Sequence, residues 1–408
     1  MNSRERVARA MRHQPVDRVP VMCQLALGHY FLNAGIAPHR IWFTSEGFAD
    51  ALVTLQQRYH FDGILINIPG RPENVLTDVV SVETNSEGER LCWRDGGVTF
   101  VPCDENPQHD QTARANFETL DPDNLDTIDQ LPGYVWNTYH IPRVAESRGV
   151  LRDIPDYFFR TIDLVRAAVG DSVSIHGEVF SPFTHYLELF GYEQALTSLL
   201  IDPAKAHALL ERLTVASIAW AVAQARRGVD AVLISSAFAG GSLISTAMYR
   251  EFVIPYESRV TDAVKKTGVP VYTHTCGRIG DRLELIAETG TQGIDTLDPP
   301  PLGNVELAEA KKRVGEKMFI KGNLNSVALL AYETRAQVIA EASERIRIGK
   351  IGGGYILSTA CSVAPRVEPW KLELLAPLAE EIGCYGTRTN AEFFDPRTLA
   401  LAFPPGQV

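Results

Sequence analysis

The chain has 408 residues, 45% of them hydrophobic, and carries a formal net charge of −11 at pH 7. An acidic balance of this size argues against a nucleic-acid footprint or an anionic membrane surface, and favours small molecules or protein partners. Six cysteines (Cys23, Cys92, Cys103, Cys276, Cys361 and Cys384) are too scattered for a disulfide framework and suit a reducing cytoplasm. No apolar signal segment follows the charged first twelve residues, and no apolar run approaches the roughly 18 residues of a membrane span.

Residues 3–12 read as a short amphipathic helix, broken by Pro15 to Arg18 before a first strand candidate, Val19 to Leu25. A helical stretch over 44–59 leads to a second strand candidate at 61–67. Residues 76–135 then change character: alternating runs at 78–83 and 97–101 flank Asp95-Gly96, a strong hairpin signal, and a polar stretch with Pro and Asn follows. This region reads as an inserted hairpin and loop after the second strand.

Helix and strand patterns alternate from about 136 to the end. Helix 154–168 leads to strand 172–178, and helices near 191–200 and 203–227 lead to strand 231–236. Helix 246–267 precedes strand 269–276, helix 279–289 precedes strand 292–297, and helix 304–314 precedes strand 318–323. Helix 334–348 precedes strand 355–361, and a terminal helix covers about 370–382. Some eight strands, each followed by helix, predict an α/β fold of the (β/α)8 TIM barrel type, one domain over 1–408 with the 76–135 insertion inside it. A doubly wound open sheet would need a glycine-rich turn after its first strand, and none is present.

His274 and Cys276 end the run Val269-Pro-Val-Tyr-Thr-His-Thr-Cys276, and the period of two along a strand points both to one face. Cys361 closes another apolar run, Tyr355 to Cys361. At the mouth of one parallel barrel these three make an N/S2 donor set suited to zinc with a fourth position open. The competing reading is that an unpaired cysteine serves as a small buried hydrophobe. Glu178, at the end of strand 172–178, is expected to face the mouth as a fourth ligand or general base, with a salt-bridged loop carboxylate as the alternative; His176, deeper on the same face, reads as a core histidine. Asp295 and Asp298 bracket the end of the sixth strand, and nothing in the sequence chooses between them. Asn323, positioned to orient a substrate, and Tyr256 complete the candidate catalytic set with Glu178. Gly352-Gly353-Gly354 invites a phosphate-loop reading, but it precedes a strand and so falls at the face away from ligands; a turn ending a helix is the reading adopted.

Several segments together, Gly228-Val-Asp-Ala-Val232, Tyr249-Arg-Glu-Phe-Val-Ile-Pro-Tyr256, His274-Thr-Cys-Gly277, Gly322-Asn323 and Tyr355 to Cys361, resemble the uroporphyrinogen decarboxylase superfamily, and within it the zinc-dependent cobalamin methyltransferase branch. The resemblance covers most of residues 1–70 and 150–385. It implies zinc held by His274, Cys276 and Cys361, and methyl transfer between a corrinoid (cobalamin) carried by a partner protein and a small-molecule thiol or methyl ether. Decarboxylases of the superfamily carry an arginine-rich segment after the first strand and an aspartate after the second. Here Cys23 to Tyr30 holds no arginine and Asn67 stands where the acid would be, which makes a metal-free decarboxylase the second reading. A non-catalytic corrinoid-binding barrel is the third.

Overall fold

The computed structural model describes residues 1–109, 115–123 and 154–385; the parts of the expected insertion at 110–114 and 124–135 lie outside them. Seven parallel strands, β1 (Gly63–Ile66), β6 (Ser174–Phe180), β7 (Ala231–Ser235), β8 (Val271–Thr275), β9 (Gly293–Thr296), β10 (Phe319–Leu324) and β11 (Tyr355–Thr359), form one curled sheet in that spatial order. Each neighbour in space is the next of these strands in sequence, and the returns between β6 and β11 run through helices, as short parallel crossovers require. A separate antiparallel sheet, β2 (Val79–Thr84), β3 (Gly88–Trp93), β4 (Val98–Pro102) and β5 (Gln108–His109), follows β1.

The segment around 20–26 lies between the two outer strands of the parallel sheet. On one side Met22 N donates to Leu357 O and Ala26 N to Val363 O; on the other Asp62 N donates to Val21 O at 2.7 Å. It makes isolated bridges, not the regular strand expected over 19–25. Pro20 has no N–H to give, and Val21 N is taken by the Asp62 carboxylate at 2.8 Å instead of a main-chain carbonyl. Asp62, fully buried, also accepts from Arg6 (2.6 Å) and Arg18 (2.8 Å).

Two other expectations need correcting. The runs at 78–83 and 97–101 are β2 and β4, yet they do not pair with each other: β3 lies between them, and Asp95-Gly96 turns β3 into β4. The polar residues Glu89 and Arg90 hid β3 from the alternation. The helix expected over 246–267 is two, Thr246–Phe252 and Ile254–Lys265, broken at Val253, because Pro255 has no N–H to give the carbonyl four residues back and its ring crowds that carbonyl.

Apolar side chains inside the curled sheet, Met22, Leu65, Leu233, Tyr272, Phe319 and Ile356, form one cluster with Val7, Ala10 and Met11 of the helix Ser3–Met11. That helix therefore covers the N-terminal ends of the strands, where Arg4 also pairs with Asp230 at 2.8 Å just ahead of β7. Gly293 leaves its position empty for the Phe319 ring of the adjacent strand. A larger apolar layer lies between the strands and the helices outside them. With that end plugged, the C-terminal ends of the strands are left for chemistry. Gly352, Gly353 and Gly354 all take positive φ in the turn between the helix Arg335–Gly349 and β11, in keeping with a turn that ends a helix.

Candidate metal centre

Strand register organises the site. Ser235 of β7 is paired with His274 of β8, His274 with Asp295 of β9, and Asp295 with Lys321 of β10. Laterally paired residues of a parallel sheet point to the same face, so these four form a row across adjacent strands. The ion pairs from Asp295 to His274 and to Lys321, together with the in-phase Tyr272 and Phe319 in the inner cluster, identify that face as the inner one.

His274 is buried. Its Nδ1 lies 3.0 Å from Asp295 Oδ2 and its Nε2 3.2 Å from Cys276 Sγ. Cys276, one residue past β8, and Cys361, two past β11, bring their sulfurs to 3.8 Å. The ligand atoms of His274, Cys276 and Cys361 all fall within 4.8 Å of one another. Two sulfurs each about 2.3 Å from a tetrahedral zinc stand roughly 3.8 Å apart, so the observed separation is that of a thiolate pair around one ion, far beyond a disulfide bond of about 2.05 Å. The residues present fit zinc.

Cys361 N is held by Ser326 Oγ at 2.9 Å. Gly240, in the loop after β7, lies so close to Cys276 that an added Cβ would stand 2.5 Å from the Cys276 carbonyl oxygen. A glycine there lets that loop lie against the ligand-bearing turn.

The charges are coupled. Burial alone would lower the His274 pKa, but Asp295 and Cys361 override it and push it up to about 10. A hydrogen bond shared by the two thiols, with His274 alongside, holds Cys361 well below the ordinary thiol range and Cys276 well above it. Burial would raise Asp295, yet Lys321 at 3.0 Å and His274 keep its carboxylate below the usual value. Nε2 must be unprotonated for that nitrogen to bind an ion, while Nδ1–H stays on Asp295.

Glu178 faces the same interior from β6. Burial pushes its carboxyl up to about 7, with His274 and the Ser235 hydroxyl opposing the rise. Its Oε2 is buried with no hydrogen-bond partner among the described residues, so one acceptor is left to a ligand or a proton. Asp298 takes a different part: its Oδ2 accepts from Gly277 N at 2.7 Å and fixes the turn that follows Cys276. Both aspartates that the sequence left undecided therefore serve the site.

The structure does not join the other two candidates to this group. Asn323 is buried, and its amide nitrogen donates to Leu297 O (2.9 Å) and, at 3.5 Å, to Val305 O, holding the loop after β9. Tyr256 sits in the helix Ile254–Lys265, and its hydroxyl is hydrogen bonded to His207 Nδ1 at 2.6 Å in the helix Pro203–Arg227. Helical periodicity explains the miss: the next residue, Glu257, is the one turned to the sheet. His176 is the core histidine expected, held by Tyr272 (2.9 Å) and Ser174 (3.1 Å). Lys321 went unnoticed in the sequence, although a charge in phase within the apolar run 318–323 was a signal that it needed a buried partner.

Glu257 accepts from Thr273 Oγ1 at 3.2 Å behind β8, and burial pushes its carboxyl up to about 7 from an ordinary value of 4.5. Between those values the folded protein keeps a proton that the unfolded chain has lost, so stability is full below pH 4.5 and is lost as pH rises through 7, by about 3 kcal/mol in all. Glu257→Gln is expected to match wild type near pH 4.5 and to exceed it by about 3 kcal/mol at pH 8. Urea unfolding at the two pH values checks this; parallel pH curves for the two proteins would count against it.

The model of the family described as Uroporphyrinogen decarboxylase (URO-D) matches residues 141–382. Over nearly its whole length the chain is similar to proteins with two different names. It is 26% identical over 390 residues to a uroporphyrinogen decarboxylase of Legionella pneumophila (strain Corby), covering 92% of this chain and 96% of that one. It is 24% identical over 386 residues to the methylcobamide:CoM methyltransferase MtbA of Methanosarcina acetivorans, covering 92% and 97%. A solved methyltransferase from Methanosarcina mazei superposes with a TM-score of 0.69 at 20% identity, covering 93% of this chain and 99% of that one, a likeness of fold. No described helix is long and apolar enough to cross a membrane. With the family model matched from ahead of β6 to the last helix, and with full-length similarity on either side of the family's two activity names, the chain belongs to the uroporphyrinogen decarboxylase (URO-D) family.

Proposed function

We propose that the protein is a zinc-dependent methyltransferase that moves a methyl group between a corrinoid carried by a partner protein and a small-molecule thiol or methyl ether. The observation that carries this reading is the convergence of His274, Cys276 and Cys361 within 4.8 Å at the C-terminal end of the sheet. In this reading the segment 20–26 is the eighth stave of a closed (β/α)8 barrel, the antiparallel sheet belongs to an insertion in a single domain, and the free thiols work in a reducing cytoplasm.

His274, Cys276 and Cys361 would hold the ion. A zinc ion there would supply Lewis acidity, lowering the pKa of a thiol or polarising an ether oxygen. The protein's own groups do the rest. Asp295 holds the Nδ1 proton of His274 and so directs Nε2 inward. Glu178 takes the proton that a thiol substrate releases, or returns one to the oxygen that an ether leaves behind; a carboxyl raised to about 7 is poised for either near neutral pH. Asn323, its Oδ1 buried without a hydrogen-bond partner among the described residues, keeps an acceptor with which to orient substrate.

The decarboxylase reading has the decarboxylase-named relatives behind it. Against it, residues 23–30 contain no arginine; Arg71, shortly after β1, gives Nε to Trp42 O and Nη1 to Pro69 O and keeps one terminal nitrogen without a partner among the described residues. The test is to incubate the zinc-loaded protein with methyl-cobalamin, or with Co(I) cobalamin, and a panel of thiols and methoxy-aromatics. Thiol-dependent loss, or ether-dependent gain, of the methyl-corrinoid spectrum is expected. Carbon dioxide release that survives chelation would establish the decarboxylase instead, and tight corrinoid-protein binding with no methyl transfer would point to a scaffold.

A further inference from the structure

We infer that Lys321 is a positioning residue of the metal site, fixing through Asp295 the orientation in which His274 offers Nε2. The inference rests on the zinc reading above and extends it two side chains outward from the ion. Lys321 is 1% exposed, in the middle of β10, with its ammonium 3.0 Å from Asp295 Oδ1 and 3.1 Å from Ser358 Oγ of β11. Asp295 is itself 2% exposed and uses its other oxygen, Oδ2, on His274 Nδ1. A carboxylate free to turn about its last bond would present either oxygen, or neither, to the ring. With one oxygen held by an ammonium and the other at the imidazole, its plane is set, and with it the plane of the ring.

Charge points the same way. A divalent ion bound by two thiolates is neutral as a unit, which leaves the Asp295 carboxylate as a buried negative charge against two sulfur ligands. The Lys321 ammonium cancels it, where a neutral side chain of the same size would leave it unpaired. Register makes the arrangement rigid, because His274, Asp295 and Lys321 are lateral neighbours on three consecutive strands.

The experiment is a zinc affinity measurement by chelator competition on wild type, Lys321→Met, Asp295→Asn and the double variant, with ligand-field spectra of the cobalt(II)-substituted proteins. Lys321→Met, close in length and volume, is expected to weaken zinc binding by about ten- to a hundredfold and to shift the cobalt bands, with the sulfur charge-transfer bands retained. The double variant is expected to bind no more weakly than Asp295→Asn alone, because Lys321 acts through Asp295; losses that add, or wild-type affinity in Lys321→Met, overturn the inference. Should Lys321→Met fail to fold, Ser358→Ala, which removes one hydroxyl holding the ammonium, is expected to weaken zinc severalfold in the same direction, and an unchanged affinity there overturns it as well. Wild-type protein that binds no zinc would instead bring down the metal reading, and this inference with it.

Discussion

Cys361→Ala is expected to purify with little or no zinc while wild type carries about one ion per chain, and to lose methyl transfer with it. Structural zinc sites with four protein ligands bind with about 10–16 kcal/mol, roughly 2.5–4 kcal/mol per donor, so losing one donor is expected to cost on the order of a hundredfold or more in affinity. The loss is not repaired locally. The two remaining donors, His274 and Cys276, lie 3.2 Å apart at the end of β8 and stay in place, and the only carboxylate directly on His274 among the described residues is Asp295, whose two oxygens are already held by His274 and Lys321. Atomic absorption on both proteins, with circular dichroism to show that the variant is folded, decides the matter. Equal zinc in the two would remove Cys361 from the site. Cys384, exposed near the end of the described chain, is the matching control: Cys384→Ala is expected to keep its zinc.

Asp62→Ala is expected to cost about 3–5 kcal/mol of stability. The carboxylate is fully buried and receives Arg6 at 2.6 Å, Arg18 at 2.8 Å and Val21 N at 2.8 Å. Its removal strands two guanidinium groups. Arg6 keeps a second carboxylate, Asp17 at 2.6 Å, whereas Arg18 keeps only Glu380, at 3.8 Å and largely exposed. Arg18 therefore bears most of the penalty. The same change frees Val21 N, so of the two bonds between Val21 and Asp62 only the main-chain one, Asp62 N to Val21 O, remains. A lower urea midpoint, together with faster amide exchange at Val21 and at Met22, which is bonded to β11, is the expected pair of results. A lower midpoint with unchanged exchange at Val21 would show that the two arginines alone carry the effect.

The fold was legible wherever one periodicity ruled. Apolar runs of four to seven residues alternating with amphipathic helices marked all seven parallel strands to within a few residues, because strands buried on both faces carry little else. Their ends then marked His274, Cys276, Cys361 and Glu178. What stayed hidden depended on neighbours that no single segment reveals. Asp295 and Asp298 look alike in sequence; only the register of β9 against β8 gives the first to His274. Lys321 is one charge in an apolar run until β9 supplies its partner. Tyr256 was misjudged because a helix turns its side chains by about 100° per residue, so that Glu257, and not Tyr256, meets the strand behind it. The segment 19–25 was misjudged as a regular strand because on the β1 side Val21 N is taken by an aspartate side chain instead of a main-chain carbonyl, which no backbone propensity anticipates.

The lateral row from Ser235 to Lys321 contains no loop, and that limits how the scaffold can diversify. One residue added or removed inside Val271–Thr275, Gly293–Thr296 or Phe319–Leu324 would turn every later side chain of that strand from the lumen to the helices. Descendants of such a protein can exchange side chains along the row one at a time, but they cannot change its spacing. The segments beyond Asp298 and Cys361 carry no such restriction and are free to lengthen or shorten. The half of the centre that grips and the half that meets a substrate are thus written in different kinds of backbone, and each can be altered while the other is kept.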